Sequence, residues 1–203
     1  MGITQQIGAS SLNKAGVCTL TTRPASPYEG QMIYETDTDM VAIWNGTAWR
    51  YIASTTPTNG TVLQVVRSTL TSDRNTTSTS YTDVTDASVT ITPKSTSSSI
   101  IVIASFLGIV VNSASGHNLG SYQITDSANT GLSGATNQSI GALNYTNVNG
   151  YFYAPVTMMG FVSPNSISAQ TYKLRFQSFS AATTTYVAGA TTTTQLFAIE
   201  LAG

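Results

Sequence analysis

The stretch IIVIASFLGIVV, residues 100–111, decides the fold of this chain. It is too short to cross a bilayer as a helix, and its many β-branched residues favour a strand. Side chains alternate between the two faces of a strand, and here both alternating sets are apolar. One set contains Ile100, Val102 and Phe106, and the other contains Ile101, Ile103 and Leu107. We therefore predict a strand that is covered on both faces.

An antiparallel sandwich normally buries one face of each sheet and leaves the other in water. A second apolar face therefore requires cover from the N-terminal part of the chain or from a neighbouring subunit. The closing segment LFAIELA repeats the pattern and places Glu200 among apolar residues, where an unpaired carboxylate is unfavourable. We hypothesise that Glu200 pairs with Arg175, across a subunit boundary. The predicted subunit interface comprises Ile101, Ile103, Leu107, Arg175 and Glu200.

Composition predicts an all-β protein. Charged residues make up 8% of the 203 residues, whereas about 25% is ordinary, and Ser, Thr, Asn and Gly take their place. Long-chain helix formers are scarce, and Thr, Val, Ile and Tyr suit a pleated surface. Candidate strands separated by polar turns occupy residues 61–68, 80–92, 99–111, 120–125, 139–146, 151–162, 171–179 and 194–202. Their spacing predicts a jelly-roll-like antiparallel β-sandwich.

The N-terminal part of the sequence is predicted to form a smaller, separate module. Residues 1–30 show no clear period and contain prolines that favour extended geometry, which indicates an extended arm. The segments MIYE, MVAIW and AWRYI then predict a three-stranded meander, with Asn45-Gly46 as a hairpin turn. The polar segment ASTTPTNG marks a linker. The predicted boundaries are 1–55 for the arm and meander, 56–60 for the linker and 61–203 for the sandwich.

Charge and cysteine content exclude several partners. A net charge of −1 without a basic cluster argues against nucleic acid and against an anionic membrane surface. The single Cys18 has no internal partner and is expected to be a small core residue. The first residues lack the basic and apolar regions of a signal peptide, so we expect synthesis and assembly in a cytoplasm.

No motif supports catalysis or a cofactor. A serine hydrolase would need a base, and His117 in NSASGHNLG is the one histidine. The densest acidic group is Glu29, Glu35, Asp37 and Asp39. Carboxylate pairs are found in glycosidases, and carboxylate oxygens bind Ca²⁺, but TDTD between two strands is more simply a turn whose Asp side chains accept backbone N–H bonds. We predict a protein that is not an enzyme and binds no metal.

Two surface features are candidates for outside contact. Tyrosine combines apolar area with a polar tip, and Tyr145, Tyr151 and Tyr186 are predicted near loops or strand ends. Core and interface packing is the alternative interpretation of these residues. The tracts TTT and TTTT, residues 183–185 and 191–194, predict an exposed hairpin end.

The sequence GVCTLTTRPASPYEGQMIYETDTDMVAIWNGTAWRYI, residues 16–52, resembles a segment that recurs in structural proteins of tailed bacteriophages. The segments TSTSYTDVTDASVTITPKSTSSSIIVIASF and LFAIELA are similar to the C1q/TNF-like jelly rolls of phage fibres and capsid surfaces. The resemblance implies a homotrimer in a virion. It also implies attachment to other virion proteins through the N-terminal module, for which we select Arg23, Pro24, Pro27, Tyr28, Trp44 and Trp49.

These expectations lead to two hypotheses for function. The first is a short trimeric fibre or spike that exposes its jelly roll for adhesion to a host-surface polysaccharide or protein. The alternative is a capsid decoration or cement protein that stabilises the capsid lattice. The chain contains no shaft repeats or coiled-coil heptads that would extend a fibre, which favours the alternative.

Overall fold

The structure, a computed structural model, describes residues 16–52, 57–112, 116–145, 150–190 and 192–203, with the backbone alone for residues 116–118 and 142–145. The chain forms two compact units, Met1–Pro57 and Thr58–Gly203, which we call unit 1 and unit 2. Their boundary lies inside the segment predicted as a linker. Every secondary-structure element assigned in the described ranges is a β-strand, so the all-β prediction is confirmed.

Unit 1 contains a four-stranded mixed sheet of β1 (Gly16–Cys18), β2 (Met32–Glu35), β3 (Met40–Trp44) and β4 (Trp49–Tyr51). Strands β2 to β4 form the predicted antiparallel meander. The arm contributes more than expected, because β1 adds to the edge of the sheet in parallel with β2. Residues 1–15 of the predicted arm and residues 53–56 of the predicted linker lie outside the described residues.

Unit 2 is a sandwich of two antiparallel sheets. Its strands are β5 (Val62–Leu70), β6 (Arg74–Thr76), β7 (Thr82–Ile91), β8 (Ser99–Asn112), β9 (Gly116–Asp126), β10 (Gln138–Tyr145), β11 (Tyr151–Val162), β12 (Gln170–Ser178), β13 (Thr183–Ala188) and β14 (Thr194–Leu201). One sheet has four strands in the order β10-β9-β12-β7. The other has six strands in the order β5-β14-β8-β13-β6, with β11 along the second edge of β8.

The long strand β8 organises the six-stranded sheet. One edge of β8 pairs with β11 over its whole length, and the other edge pairs first with β14 and then with β13. The inward side chains of β8 meet those of β9 and β12, so the core lies between the two sheets. Among the largest fully buried side chains are Ile100, Tyr122, Ile124, Tyr172 and Leu174. Side chains alternate along β12, with Tyr172 and Leu174 inside and Lys173 and Arg175 on the outer surface.

The interpretation of the threonine tracts is wrong for residues 183–185. These residues begin β13, which lies inside the sheet between β8 and β6, and Thr183 and Thr185 are buried. Thr185 donates to or accepts from Ser178 across the core, at 2.9 Å. A buried hydroxyl with a partner is compatible with a strand interior, and the composition of the tract alone does not reveal that partner.

A tight backbone contact near the end of β13 gives a test of this packing. A Cβ atom on Gly189 would lie 2.5 Å from the carbonyl oxygen of Ser72 and 2.7 Å from its nitrogen. Backbone atoms cannot move aside cheaply, so Gly189→Ala is expected to lower the free energy of unfolding by about 1–3 kcal/mol. Thermal unfolding measures the loss. Gly131→Ala, whose nearest neighbour would be the Thr136 methyl group at 3.1 Å, serves as a milder control, and equal effects of the two changes would contradict this packing.

Candidate functional site

Strand β8 presents two apolar faces, as its sequence predicts. Ile100, Val102, Ala104 and Phe106 point into the core and are 0–5% exposed. The intervening Ile101, Ile103, Leu107, Ile109 and Val111 point away from the core and remain half-buried. The four-stranded sheet lies on the opposite, inward side of β8, and no described strand of unit 2 forms a third layer over these outward side chains.

Neighbouring strands extend this outward surface. On β14, Ile199 lies beside Ile101 and Phe197 lies beside Ile103. On β11, Phe161 lies beside Ile101 and Met159 lies beside Ile103. We call this surface the apolar face. Its members are Val62, Val65, Ile101, Ile103, Leu107, Ile109, Val111, Tyr151, Tyr153, Met159, Phe161, Tyr186, Phe197, Ile199 and Leu201. The one charged side chain among the described residues of this face is Arg67, on the edge strand β5.

The apolar face is large for a surface left in water. The outer surface of the four adjacent strands β5, β14, β8 and β11, which are 9, 8, 14 and 12 residues long, covers roughly 690 Å². One polar row of Thr69, Gln195, Ser105 and Thr157 crosses it. Typical monomers expose contiguous apolar patches of about 300–600 Å². Several members are widely exposed in the single chain, including Val65 at 55%, Met159 at 59% and Tyr151 at 60%. A surface of this size and composition is typical of a protein–protein interface.

The outer surface of the four-stranded sheet has the opposite character. Asp83 accepts hydrogen bonds from Lys173 and Arg175, both at 2.8 Å, and Lys173 also donates to Asn129. Partial burial would raise the pKa of Asp83, but Lys173 and Arg175 outweigh that effect and hold it below its ordinary value. Hydroxyl groups fill much of the remaining surface, as in the Thr90–Thr171 pair at 2.8 Å. One sheet of unit 2 is therefore suited to water and the other is not.

Three of the five residues predicted for the subunit interface lie together on the apolar face: Ile101, Ile103 and Leu107. The other two do not belong to it. Arg175 is on the outer surface of the other sheet, paired with Asp83. Glu200 is fully buried on the inner side of β14. The hypothesis of a Glu200–Arg175 pair is therefore wrong, because each group already has partners within the chain.

Glu200 is held by hydrogen bonds from two neighbouring segments. The backbone N–H of Lys94 donates to Oε1 at 2.6 Å, and the Gln64 side chain donates to Oε2. Burial alone would raise the pKa of Glu200, but these hydrogen bonds outweigh burial and lower it. The carboxylate thereby ties the β5 strand and the segment after β7 to the last strand. Sequence analysis recognised that Glu200 needed a partner but not that a backbone N–H supplies it.

A pH titration tests this arrangement. Because the pKa of Glu200 is lower in the folded chain than in the unfolded chain, its stabilising contribution is complete above the unfolded pKa and is lost as the pH falls through the folded value. We expect Glu200→Gln to remove part of the stability at neutral pH and to flatten the decline below about pH 4.5, near the ordinary pKa of a glutamate. Denaturant unfolding at a series of pH values measures both effects. If the free energy of unfolding falls in parallel with pH for wild type and for Glu200→Gln, the role assigned to the Glu200 carboxylate is contradicted.

Two of the three tyrosines predicted for outside contact, Tyr151 and Tyr186, fall on the same surface as the predicted interface. Tyr151 and Tyr153 stack on each other, with ring centroids 5.9 Å apart and planes 15° apart, at one end of β11. Tyr186 lies beside Ile109 on β13. The side chain of Tyr145 lies outside the described residues. Tyr151 and Tyr186 are therefore parts of the apolar face, not of a separate loop surface.

Residues predicted for particle attachment have internal roles in unit 1. Arg23 forms an ion pair with Glu35, which is fully buried, and donates to the Tyr51 hydroxyl at 3.0 Å. Trp44 and Trp49 pack edge to face at a centroid distance of 5.6 Å. Tyr28 is 69% exposed. Pro24 and Pro27 lie in the same segment between β1 and β2. This segment closes one side of the small sheet, and its accessible part remains a candidate for contact.

The described residues contain no group of three or more His, Cys, Asp or Glu side chains that could hold a metal ion. In the predicted TDTD turn, Asp37 accepts from the Leu20 N–H and Asp39 from the Tyr34 hydroxyl. His117 belongs to β9, not to a loop, and its side chain is outside the described residues. A cavity of about 280 Å³ lies beside Asp83, Asp86 and Lys173, and all three are paired. No helix in the described ranges is long and apolar enough to span a membrane.

No protein-family model matches this chain, and no curated protein matches it. Comparison with solved structures finds chains from particles of infectious bursal disease virus. The T13 particle chain is 12% identical, with a TM-score of 0.33, and the match covers 79% of this chain and 44% of that one. The Gt strain chain gives 12% identity, a TM-score of 0.26 and coverage of 89% and 46%. The Gx strain chain is 11% identical, with a TM-score of 0.25, and the match covers 79% of this chain and 41% of that one.

This chain therefore spans less than half the length of those viral chains. Sequence identity and TM-score are both too low for these matches to carry a conclusion about fold. We derive no function from it.

Proposed function

We propose that this chain is a structural component of a virion and assembles as a homotrimer through the apolar face of unit 2. The observation that carries the proposal is the contrast between the two outer surfaces of the sandwich. One is covered with paired charges and hydroxyl groups, and the other is apolar over most of roughly 690 Å², interrupted by one polar row of Thr69, Gln195, Ser105 and Thr157. This area is somewhat below the ~800 Å² that each partner contributes to a standard interface. Burial of such a surface is the main driving force for association.

The oligomeric state tests this proposal. We expect light scattering coupled to size exclusion to give three times the chain mass of 21.3 kDa, and we expect the trimer to persist on dilution. A monomer would contradict the proposal, and a dimer would retain the apolar face as an interface but contradict threefold assembly.

Assignment to a virion is supported by the resemblance of residues 16–52 to a segment of phage structural proteins. Within that class, our leading proposal is a short fibre or spike, attached through unit 1, that exposes unit 2 for adhesion to a host-surface polysaccharide or protein. The alternative is a capsid decoration protein that stabilises the lattice. Cryo-electron microscopy of the particle separates the two, because a few trimers at the tail support the fibre and copies distributed over the capsid support decoration.

The position of the tyrosines bears on adhesion. If the apolar face is covered in the trimer, Tyr151 and Tyr186 contribute to the subunit interface, and host contact then uses other parts of unit 2. We therefore expect Tyr151→Ala to weaken the trimer. A change in cell binding with an unchanged trimer would instead assign Tyr151 to adhesion.

A further inference from the structure

Unit 1 has a second surface that the described residues of unit 1 do not cover. The sheet alternation places Ile33, Glu35 and Ala42 on one side, where they are at most 1% exposed. The segment between β1 and β2 covers this side through the Arg23–Glu35 ion pair and through a hydrogen bond from the Gly30 N–H to the Trp44 carbonyl.

The opposite side of the same sheet is apolar and is left open by the described residues of unit 1. We call it the open face, and its apolar members are Val17, Met32, Tyr34, Val41, Ile43 and Ile52. Val17 is 71% exposed and Ile52 is 57% exposed, and the other members are half-buried.

Two charges lie at opposite ends of the open face. Arg50 pairs in register with Ile43, toward the β3–β4 turn, and has no ion-pair partner among the described residues. Asp39 lies at the β2–β3 turn, where it accepts a hydrogen bond from the Tyr34 hydroxyl. About four residue steps, or roughly 13 Å, separate them along the strands.

A surface with an apolar centre, a cation at one end and a carboxylate at the other is complementary to itself. When two such surfaces meet about a twofold axis, Arg50 of each copy faces Asp39 of the other, and the apolar centres cover each other. We propose that the open face binds the open face of a second copy of this chain. This proposal rests on the trimer proposed for unit 2. A trimer carries three open faces, and an odd number of faces cannot all pair with one another. Complete pairing therefore joins two trimers.

The size of the open face sets the strength of this contact. Four short strands of about four residues cover roughly 250 Å², well below the ~800 Å² per partner of a stable interface. A single contact is therefore weak, and three contacts acting together between two trimers strengthen the association without any further interface. Trimers are thus expected to associate into hexamers only in concentrated solution.

Sedimentation velocity of the full chain over a concentration series tests the proposal. We expect trimers to convert to hexamers as the concentration rises. Arg50→Glu should weaken this step by about tenfold or more, because like charges replace two opposite-charge pairs in each contact. Arg50→Lys should retain the step. Thr47→Glu, at an exposed position in the β3–β4 turn, is the control for an added negative charge and should also retain it.

Several results would overturn the twofold contact. One is a trimer that shows no further association at any concentration, and another is a hexamer that Arg50→Glu leaves unchanged. A third is slow maleimide labelling of a Val41→Cys protein at concentrations where only the trimer is present. Slow labelling would mean that another part of the same trimer covers the open face. A monomer that forms Arg50-dependent dimers would instead retain the contact and contradict the trimer of the proposed function.

Discussion

The Ile103→Lys protein is expected to fold and to remain monomeric. Ile103 points outward from the centre of the apolar face, so a lysine there reaches water in the single chain and does not disturb the core. In an assembled trimer the same ammonium group would be buried without a partner, which costs several kcal/mol per ion. About 3 kcal/mol per copy already corresponds to a roughly 100-fold weaker association.

Sedimentation of Ile103→Lys beside wild type measures this effect. The matched control is Thr90→Lys, which adds the same charge to the hydroxyl-rich outer surface of the other sheet. We expect circular dichroism to be unchanged in both variants and the trimer to survive only in Thr90→Lys. If both lysine variants sediment as wild type does, the apolar face is not the interface.

Arg23→Ala is expected to destabilise unit 1 by about 3 kcal/mol, the lower end of the loss caused by removing one partner of a buried ion pair. Glu35 is fully buried and receives hydrogen bonds from Arg23, from the Tyr51 hydroxyl at 2.9 Å and from Thr38 at 3.1 Å. The hydrogen bond from Arg23 is the main cause that lowers the pKa of Glu35. Without Arg23 the carboxylate loses its charge partner and the main cause that lowers its pKa, and only the hydrogen bonds from Tyr51 and Thr38 oppose burial.

Tryptophan fluorescence reports this loss, because both tryptophans of the chain, Trp44 and Trp49, belong to unit 1. The pH dependence should become weaker. Wild type loses the contribution of Glu35 as the pH falls through its lowered folded pKa, whereas Arg23→Ala, without the main cause of that lowering, should lose less stability on acidification. The double change Arg23→Ala with Glu35→Gln should recover part of the loss at neutral pH. Equal stability of Arg23→Ala and wild type would show that the ion pair is not needed.

The main features of unit 2 follow from local patterns in the sequence. Alternation within residues 100–111 and within LFAIELA predicted both faces of β8 and β14, because the period of a strand is independent of its partners. The strands in residues 74–76 and 183–188 escaped prediction for the opposite reason. Residues 74–76 are polar and residues 183–188 begin with three threonines, so the strand conformation of both segments depends on pairing, of β13 with β8 and of β6 with β13.

The candidate site was predictable in part. Ile101, Ile103 and Leu107 were found because a doubly apolar strand is a strong local signal. Met159 and Phe161 were not singled out, because their place on the apolar face depends on the register between β11 and β8. Arg175 and Glu200 were misplaced for a related reason. The expectation that buried charges need partners was correct, but Asp83 and the Lys94 N–H are far away in sequence and reach them only through the fold.

The accessibility of Met159 tests the central claim most directly. In the single chain this side chain is 59% exposed on β11, and the account places it under a neighbouring subunit. Maleimide labelling of a Met159→Cys protein in its native state should therefore be slow, whereas Thr90→Cys on the opposite surface should react rapidly, with wild type correcting for Cys18. Rapid and equal labelling at both positions would show that the apolar face is open to water and would contradict the account.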